Sequence, residues 1–171
     1  MSIGIRASAK LNSITVARRG TGTPVTNGAT WATVTSAVDG TPPANPATYA
    51  TWTSAVSAAV GYIEVSGYDF SSIPAGATIT SVTVKLRHLE NNTGRFTTVV
   101  WQVYDGATTI GAAQTCTMAT AARDDAAVRT PTLAQLQSAT FKVRATATGA
   151  ASTQSRIFSV DHIDVTVVYA P

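Results

Sequence analysis

The chain is poor in charge. Asp, Glu, Lys and Arg make up 12% of its 171 residues, about half the usual share. Hydrophobic residues stand at 44%, so the deficit does not mark intrinsic disorder, which combines low hydrophobicity with high charge. Twelve Lys and Arg against nine Asp and Glu leave a net charge of +3. These basic residues are scattered, apart from Arg18-Arg19 and the N-terminal Arg6 and Lys10. Nucleic-acid binders gather charge on one face or helix, so no nucleic-acid partner is expected. There is one cysteine, Cys116, which cannot close an intrachain disulfide and reads as a buried strand thiol.

Long apolar runs are missing too. The longest candidate, 55–63, is broken by Ser57 and Gly61, well short of the ~18 residues of a membrane span. The N-terminus lacks the apolar stretch of a secretory signal. The Thr/Ala/Gly-rich composition nonetheless looks like that of a surface β protein. Synthesis in a bacterial cytoplasm, assembly there and release by lysis inside a particle reconciles the two. The length suits a single domain, 1–171, able to bury roughly 70% of its unfolded surface without a metal or disulfide staple. Residues 1–19 read as a candidate extended N-terminal arm.

What the sequence does have is strand periodicity. Val82, Val84 and Leu86 alternate with Thr83, Lys85 and Arg87, and Phe141, Val143 and Ala145 with Lys142, Arg144 and Thr146, the period-2 signature of half-buried strands. Val99, Trp101 and Val103 form one inward set. Asn91-Asn92-Thr93-Gly94 reads as the turn of a hairpin whose return strand carries Val99, Trp101 and Val103. Asp105-Gly106 marks a tight primed-type turn. Phase changes at Gly67 and near Asp161-His162 predict bulges or kinks. Residues 20–30 and 39–47, rich in Gly, Pro, Thr and Asn, read as loops. Thr130-Pro131 followed by Leu133 and Leu136 predicts one helical turn near 131–138. The rest of 119–139 reads as loop. About eight to ten short strands and no long helix specify an all-β antiparallel sandwich, jelly-roll or immunoglobulin-like.

Chemistry-bearing constellations are sparse. His88 shares the phase of Val84 and Leu86, which places it at the end of the core face, and His162 follows Asp161. No Gly-x-Ser-x-Gly elbow accompanies them, and no catalytic residue is assigned. Asp124-Asp125 and Asp161-x-x-Asp164 match neither an EF-hand nor a Cys/His zinc pattern. A solvated loop with Arg123 and Arg129 as partners outweighs a calcium site there, and no metal or cofactor is expected. Nothing brings Glu64 and Glu90 together as a glycosidase pair. No enzyme is expected. Among the aromatics, Trp101 reads as core. Trp31, Tyr49 and Trp52 lie in the Thr/Ala/Pro-rich region and are the candidates for an exposed sugar-stacking surface.

One phrase is more specific. Residues 62–84, Tyr-Ile-Glu-Val-Ser-Gly-Tyr-Asp-Phe-Ser-Ser-Ile-Pro-Ala-Gly-Ala-Thr-Ile-Thr-Ser-Val-Thr-Val, form a strand ending in Gly-aromatic-x-Phe, then Ile-Pro-x-Gly-Ala-x-Ile, then an alternating strand. This resembles β-sandwich structural proteins of tailed bacteriophages. Residues 141–144 and the closing 160–169 extend the resemblance across roughly 31–169. Pro74 and Gly76 build its turn while Ile73 and Ile79 anchor it, so it is a signature of fold. It implies a virion protein, most simply a capsid decoration or minor capsid protein that stabilises the shell by subunit contacts. Arg6, Lys10, Arg18 and Arg19 would then be docking residues, capsid or tail subunits the partners, and a homo-oligomer such as a trimer the assembly. The alternative is a tail- or fibre-associated carbohydrate-binding module for host adhesion.

Overall fold

The computed structural model describes residues 12–27, 30–38 and 49–171. Eleven strands appear among them: β1 (Ile14–Arg19), β2 (Val25–Thr26), β3 (Trp31–Ala32), β4 (Ala50–Ser54), β5 (Val60–Ser66), β6 (Thr78–Glu90), β7 (Phe96–Asp105), β8 (Thr108–Thr115), β9 (Arg123–Arg129), β10 (Phe141–Gly149) and β11 (Arg156–Ala170). They form two antiparallel sheets. The six-stranded sheet has the order β3-β4-β11-β6-β9, with β1 paired to β11; the five-stranded sheet runs β2-β5-β10-β7-β8. The expected β-sandwich is what the chain forms.

Two long strands carry the six-stranded sheet. β6 and β11 pair from Phe158↔Glu90 to Ala170↔Thr78, with a register break between Val160 and His162, where the phase change predicts a bulge. From the six-stranded sheet Val82, Val84, Leu86, Phe158, Val160, Ile163, Val165 and Val167 face inward. They meet Ile63, Val65, Val99, Trp101, Val103, Phe141, Val143 and Ala145 from the five-stranded sheet, all at most 1% exposed. Alternation along every long strand thus closes one core between two layers.

Several expectations need correcting. The 91–94 turn does not close a hairpin: β6 lies in one sheet and β7 in the other, so the chain crosses between layers there. The Asp105-Gly106 turn does close β7 onto β8, with Asp105 opposite Thr108 and Gly106 at φ +61. Residues 123–129, read as loop, are strand β9, zipped to β6 from Val82↔Arg129 to His88↔Arg123. The helical turn is real but shorter, α1 (Leu133–Leu136). Its N-cap is Thr132, in a capping box with Gln135, two residues beyond the Thr130 that the Pro131 signal suggests.

Candidate functional site

The arm and the aromatic surface expected from the sequence come first. Arg6 and Lys10 lie outside the described residues. Residues 14–19 are no arm: β1 pairs with β11 over Ile14↔Tyr169 to Arg19↔Asp164. Arg19 is spent inside the chain, its Nε 2.8 Å from Asp164 Oδ1. Arg18 donates from Nε to the Asp69 carbonyl at 2.6 Å and from a terminal nitrogen to Ser72 Oγ at 3.3 Å.

Trp52 is fully buried. Its strand β4 pairs with β11 so that Trp52 sits opposite Phe158 and points into the core. Gly61 leaves the space its ring fills, since a Cβ there would lie 2.2 Å from the indole. Trp31 sits opposite Trp52 on the edge strand and therefore points the same way. It packs edge-on against Phe158 at 6.4 Å between ring centres. Tyr49 is half-buried, and its carbonyl accepts a hydrogen bond from Thr33 Oγ1. These three make no exposed platform, because two tryptophans in the core phase of paired strands must turn inward together.

Exposed chemistry lies instead on the outer face of the five-stranded sheet. In β10, Lys142, Arg144 and Thr146 point outward. Register sets Arg144 opposite Glu64 of β5 and opposite Gln102 of β7. Tyr62 and Tyr104 are diagonal neighbours on either side. The Arg144 guanidinium carbon lies 4.4 Å from the centre of the Tyr62 ring and 5.0 Å from that of Tyr104, at cation–π distance from both. Lys142 Nζ lies 5.9 Å from the Tyr104 ring centre.

Glu64 is the hub of this face. Its side chain is only 8% exposed although it stands on the solvent side. Arg144 Nε donates to Glu64 Oε1 at 3.0 Å, a terminal Arg144 nitrogen donates to the same oxygen, and Lys142 Nζ reaches Oε2 at 2.6 Å. Burial alone would raise the Glu64 carboxyl, but Lys142 and Arg144 outweigh it and hold the group below the usual carboxylate range. A shallow groove of about 250 Å³ opens beside it, lined by Val25, Glu64, Ser66, Gly106, Ala139, Thr140 and Lys142. The strand alternation already puts Tyr62, Glu64, Lys142 and Arg144 in outward phases. What it lacks is the pairing order that makes them one surface.

The outer face of the six-stranded sheet is different in kind. Arg19, Asp164, Lys85, Asp124, Arg87 and Asp161 form a ladder of alternating sign, with successive contacts of 2.8, 3.5, 3.7, 3.1 and 3.2 Å. Each charge answers a neighbour of its own chain. His162, 3% exposed, lies against Asp161 and Asp164 at 3.3 Å with no hydrogen bond at either ring nitrogen. Burial lowers its pKa further than Asp164 and Asp161 raise it.

A further polar group is enclosed. His88 and Glu90 are fully buried and Asp125 nearly so; His88 Nδ1 lies 2.8 Å from Glu90 Oε1 and Nε2 2.8 Å from Asp125 Oδ2. Cys116 Sγ, His88 and Asp125 offer donor atoms within 4.8 Å of one another. The set does not fit a metal ion. The 2.8 Å between His88 and Asp125 is a hydrogen bond, the other ring nitrogen is engaged, and Arg123 occupies both oxygens of Asp125 at 3.1 and 3.2 Å. Glu64 and Glu90 stand apart, one on an outer face and one in this enclosure.

Fold and surface together define a two-sheet antiparallel β-sandwich with an aromatic, ion-paired face on its five-stranded sheet. No protein-family model matches the chain, and no curated protein matches it. Some solved structures are similar to the chain. One is described as "CBM4 structure and function", at 13% identity over 88% of this chain and 92% of that one, with a TM-score of 0.47. A second, TmCBM61 in complex with beta-1,4-galactotriose, has 9% identity over 92% and 88% and a TM-score of 0.41. A third is the enzymatically active domain of bacteriophage CBA120 tailspike protein 4, with 9% identity and a TM-score of 0.42. There the match takes in 93% of this chain but 19% of the tailspike chain. Likeness of this degree says nothing of ligands, and the two-sheet architecture rests on the strand pairing itself.

Proposed function

We propose that this protein is a non-enzymatic carbohydrate-binding β-sandwich of a phage particle, tail- or fibre-associated, which holds a host-surface glycan on the outer face of its five-stranded sheet. The observation that carries the reading is the Tyr62–Arg144–Tyr104 layer built around the ion-paired Glu64. A sugar presents apolar C–H faces and paired hydroxyls. The first suit tyrosine rings, and the second suit a carboxylate acceptor beside fixed N–H donors. Because Glu64 already locks Lys142 and Arg144, little side-chain entropy is lost when hydroxyls replace water there.

Binding without turnover fits the same geometry. Among the described residues the groove holds one carboxylate, Glu64, whereas glycoside hydrolysis ordinarily uses two. Glu64 is also an ionised acceptor between two cations, with no proton to donate. The phrase at 62–84 supports membership of a particle made in a bacterial cytoplasm. For capsid decoration, the other role the resemblance implies, the candidate contact residues are Arg6 and Lys10, which lie outside the described residues, with Arg18 and Arg19. Arg18 and Arg19 are engaged within the chain, so no observation favours that role.

Calorimetric titration against a panel of neutral and acidic bacterial surface oligosaccharides tests the proposal. Saturable binding is expected, weakened about tenfold by Tyr62→Ala or Tyr104→Ala, the scale of one aromatic contact. Absence of saturable binding across the panel, or binding indifferent to both substitutions in folded variants, overturns it.

A further inference from the structure

The His88 enclosure takes no part in the proposed glycan face, yet it gathers more buried charge than any other place among the described residues. Both ring nitrogens face carboxylate oxygens at 2.8 Å. With both carboxyls ionised they can only accept, so both nitrogens donate, and an imidazole that donates twice is an imidazolium. In that state Glu90 and Asp125 contribute two negative charges, Arg123 one positive, and the protonated His88 brings the set to neutrality. The groups around the ring are Glu90 on β6, Asp125 and Arg123 on β9, and Cys116 on the crossover from β8. β11 contributes uncharged side chains, Val160 opposite His88 and the Phe158 ring 6.1 Å away between centres.

The same two carboxylates hold backbone. Glu90 Oε2 accepts from the Ala119 N–H at 2.7 Å, and Asp125 Oδ2 from the Thr117 N–H at 3.0 Å. The Glu90 N–H in turn donates to the Ala119 carbonyl at 2.8 Å. The crossover that carries the chain from the five-stranded sheet to edge strand β9 is thus fastened through groups that His88 neutralises. Its first residue is the single cysteine, Cys116, buried at 6% exposure.

We propose that His88 is an imidazolium latch: a proton shared between Glu90 and Asp125 fastens the 116–122 crossover and β9 to β6, and loss of that proton in alkaline solution opens the crossover and exposes Cys116. A neutral ring can donate to one carboxylate only. The other then faces a nitrogen lone pair at hydrogen-bond distance, inside an enclosure left with one excess negative charge. Burial alone would lower the His88 pKa, but the hydrogen bonds and charges of Glu90 and Asp125 raise it above the ordinary histidine value. The latch therefore opens at a higher pH than that at which a free histidine loses its proton. Burial, Asp125 and Glu90 push the Cys116 thiol up to about 12, so a closed latch also keeps that thiol inert.

Two measurements on the intact protein test the latch. Long-range proton–nitrogen spectra of the imidazole rings, followed against pH with His162 as internal reference, should find both His88 nitrogens protonated at neutral pH. Deprotonation should come above the pH of a free histidine. Maleimide labelling of Cys116, divided at each pH by the rate of a small thiol, should rise about tenfold or more across that transition, the scale of one charge-assisted hydrogen bond. His88→Gln should label at the raised rate at every pH; should that variant not fold, the wild-type measurements decide alone. A singly protonated His88 at neutral pH, or labelling unchanged through its titration, overturns the proposal. So does a thiolate-to-metal absorption band on adding cobalt(II) with loss of the His88 ring protons.

Discussion

The two outer faces of the sandwich solve the same problem in opposite ways. Each must present a sheet to water in a chain that has little charge. The six-stranded sheet spends six charged residues on a ladder in which every one is answered by a neighbour, Arg19 through Asp161. The five-stranded sheet uses one carboxylate, two cations and two tyrosines, and draws the carboxylate almost out of solvent. The ladder leaves few donors and acceptors unanswered for a partner. The second face leaves half-buried aromatic edges and a groove beside a rigid ion pair. Difference in side-chain economy, on one scaffold, separates a face whose charges are all answered from the one proposed to take a ligand.

The comparison can be broken most severely at the aromatics. Trp52→Ala removes a core ring and should cost about 3–5 kcal/mol of stability, whereas Tyr62→Ala should cost less than about 1 kcal/mol and act on ligand binding instead. Chemical denaturation of both variants checks this; equal losses would mean that Tyr62 is a structural residue. Next in size is Glu64→Gln. It leaves Lys142 and Arg144 as neighbouring cations with no anion between them, and an expected loss of roughly 1–3 kcal/mol follows. Because the Glu64 pKa is held low, its stabilisation is present above the unfolded carboxylate range and disappears as pH falls through the folded value. The variant should therefore lose most of its deficit relative to wild type in acid.

The histidines sharpen the contrast with opposite signs. His88 has a raised folded pKa, so its contribution is complete below the unfolded value of about 6.5 and is lost as pH rises through the folded one. His162 has a lowered folded pKa, so the unfolded chain binds its proton first, and stability falls as pH drops below about 6.5. Denaturation midpoints of His88→Gln and His162→Gln across pH should diverge from wild type at opposite ends. The smallest effect is expected on the ladder. Asp124→Asn, at a partly exposed ion pair, should cost less than about 1 kcal/mol and vanish in high salt.

How much of this could be read from the sequence depends on which interactions are local. The phases of 82–87 and 141–146 are written in consecutive residues, and both strands formed with the expected faces. The bulge at Asp161-His162 was legible for the same reason. Neighbour relations between strands were not. Nothing near Lys142 says that Glu64 will lie beside it, because that adjacency comes from β10 inserting between β5 and β7. Strand β9 escaped notice because Ala126 and Ala127 blur its alternation. Asp125, read as a loop residue, thereby lost its link to His88. Trp52 was misread through composition: its surroundings are Thr- and Ala-rich, but its phase on β4 points inward opposite Phe158.

The most direct test of the glycan-binding face is a nitrogen–proton correlation spectrum of the labelled protein, recorded while the oligosaccharide panel is added. Saturable shifts should gather on Tyr62, Glu64, Tyr104, Lys142 and Arg144 and spare Lys85, Asp124 and Asp164. Shifts gathered on the charged ladder instead, or none for any glycan, would contradict the assignment of that face.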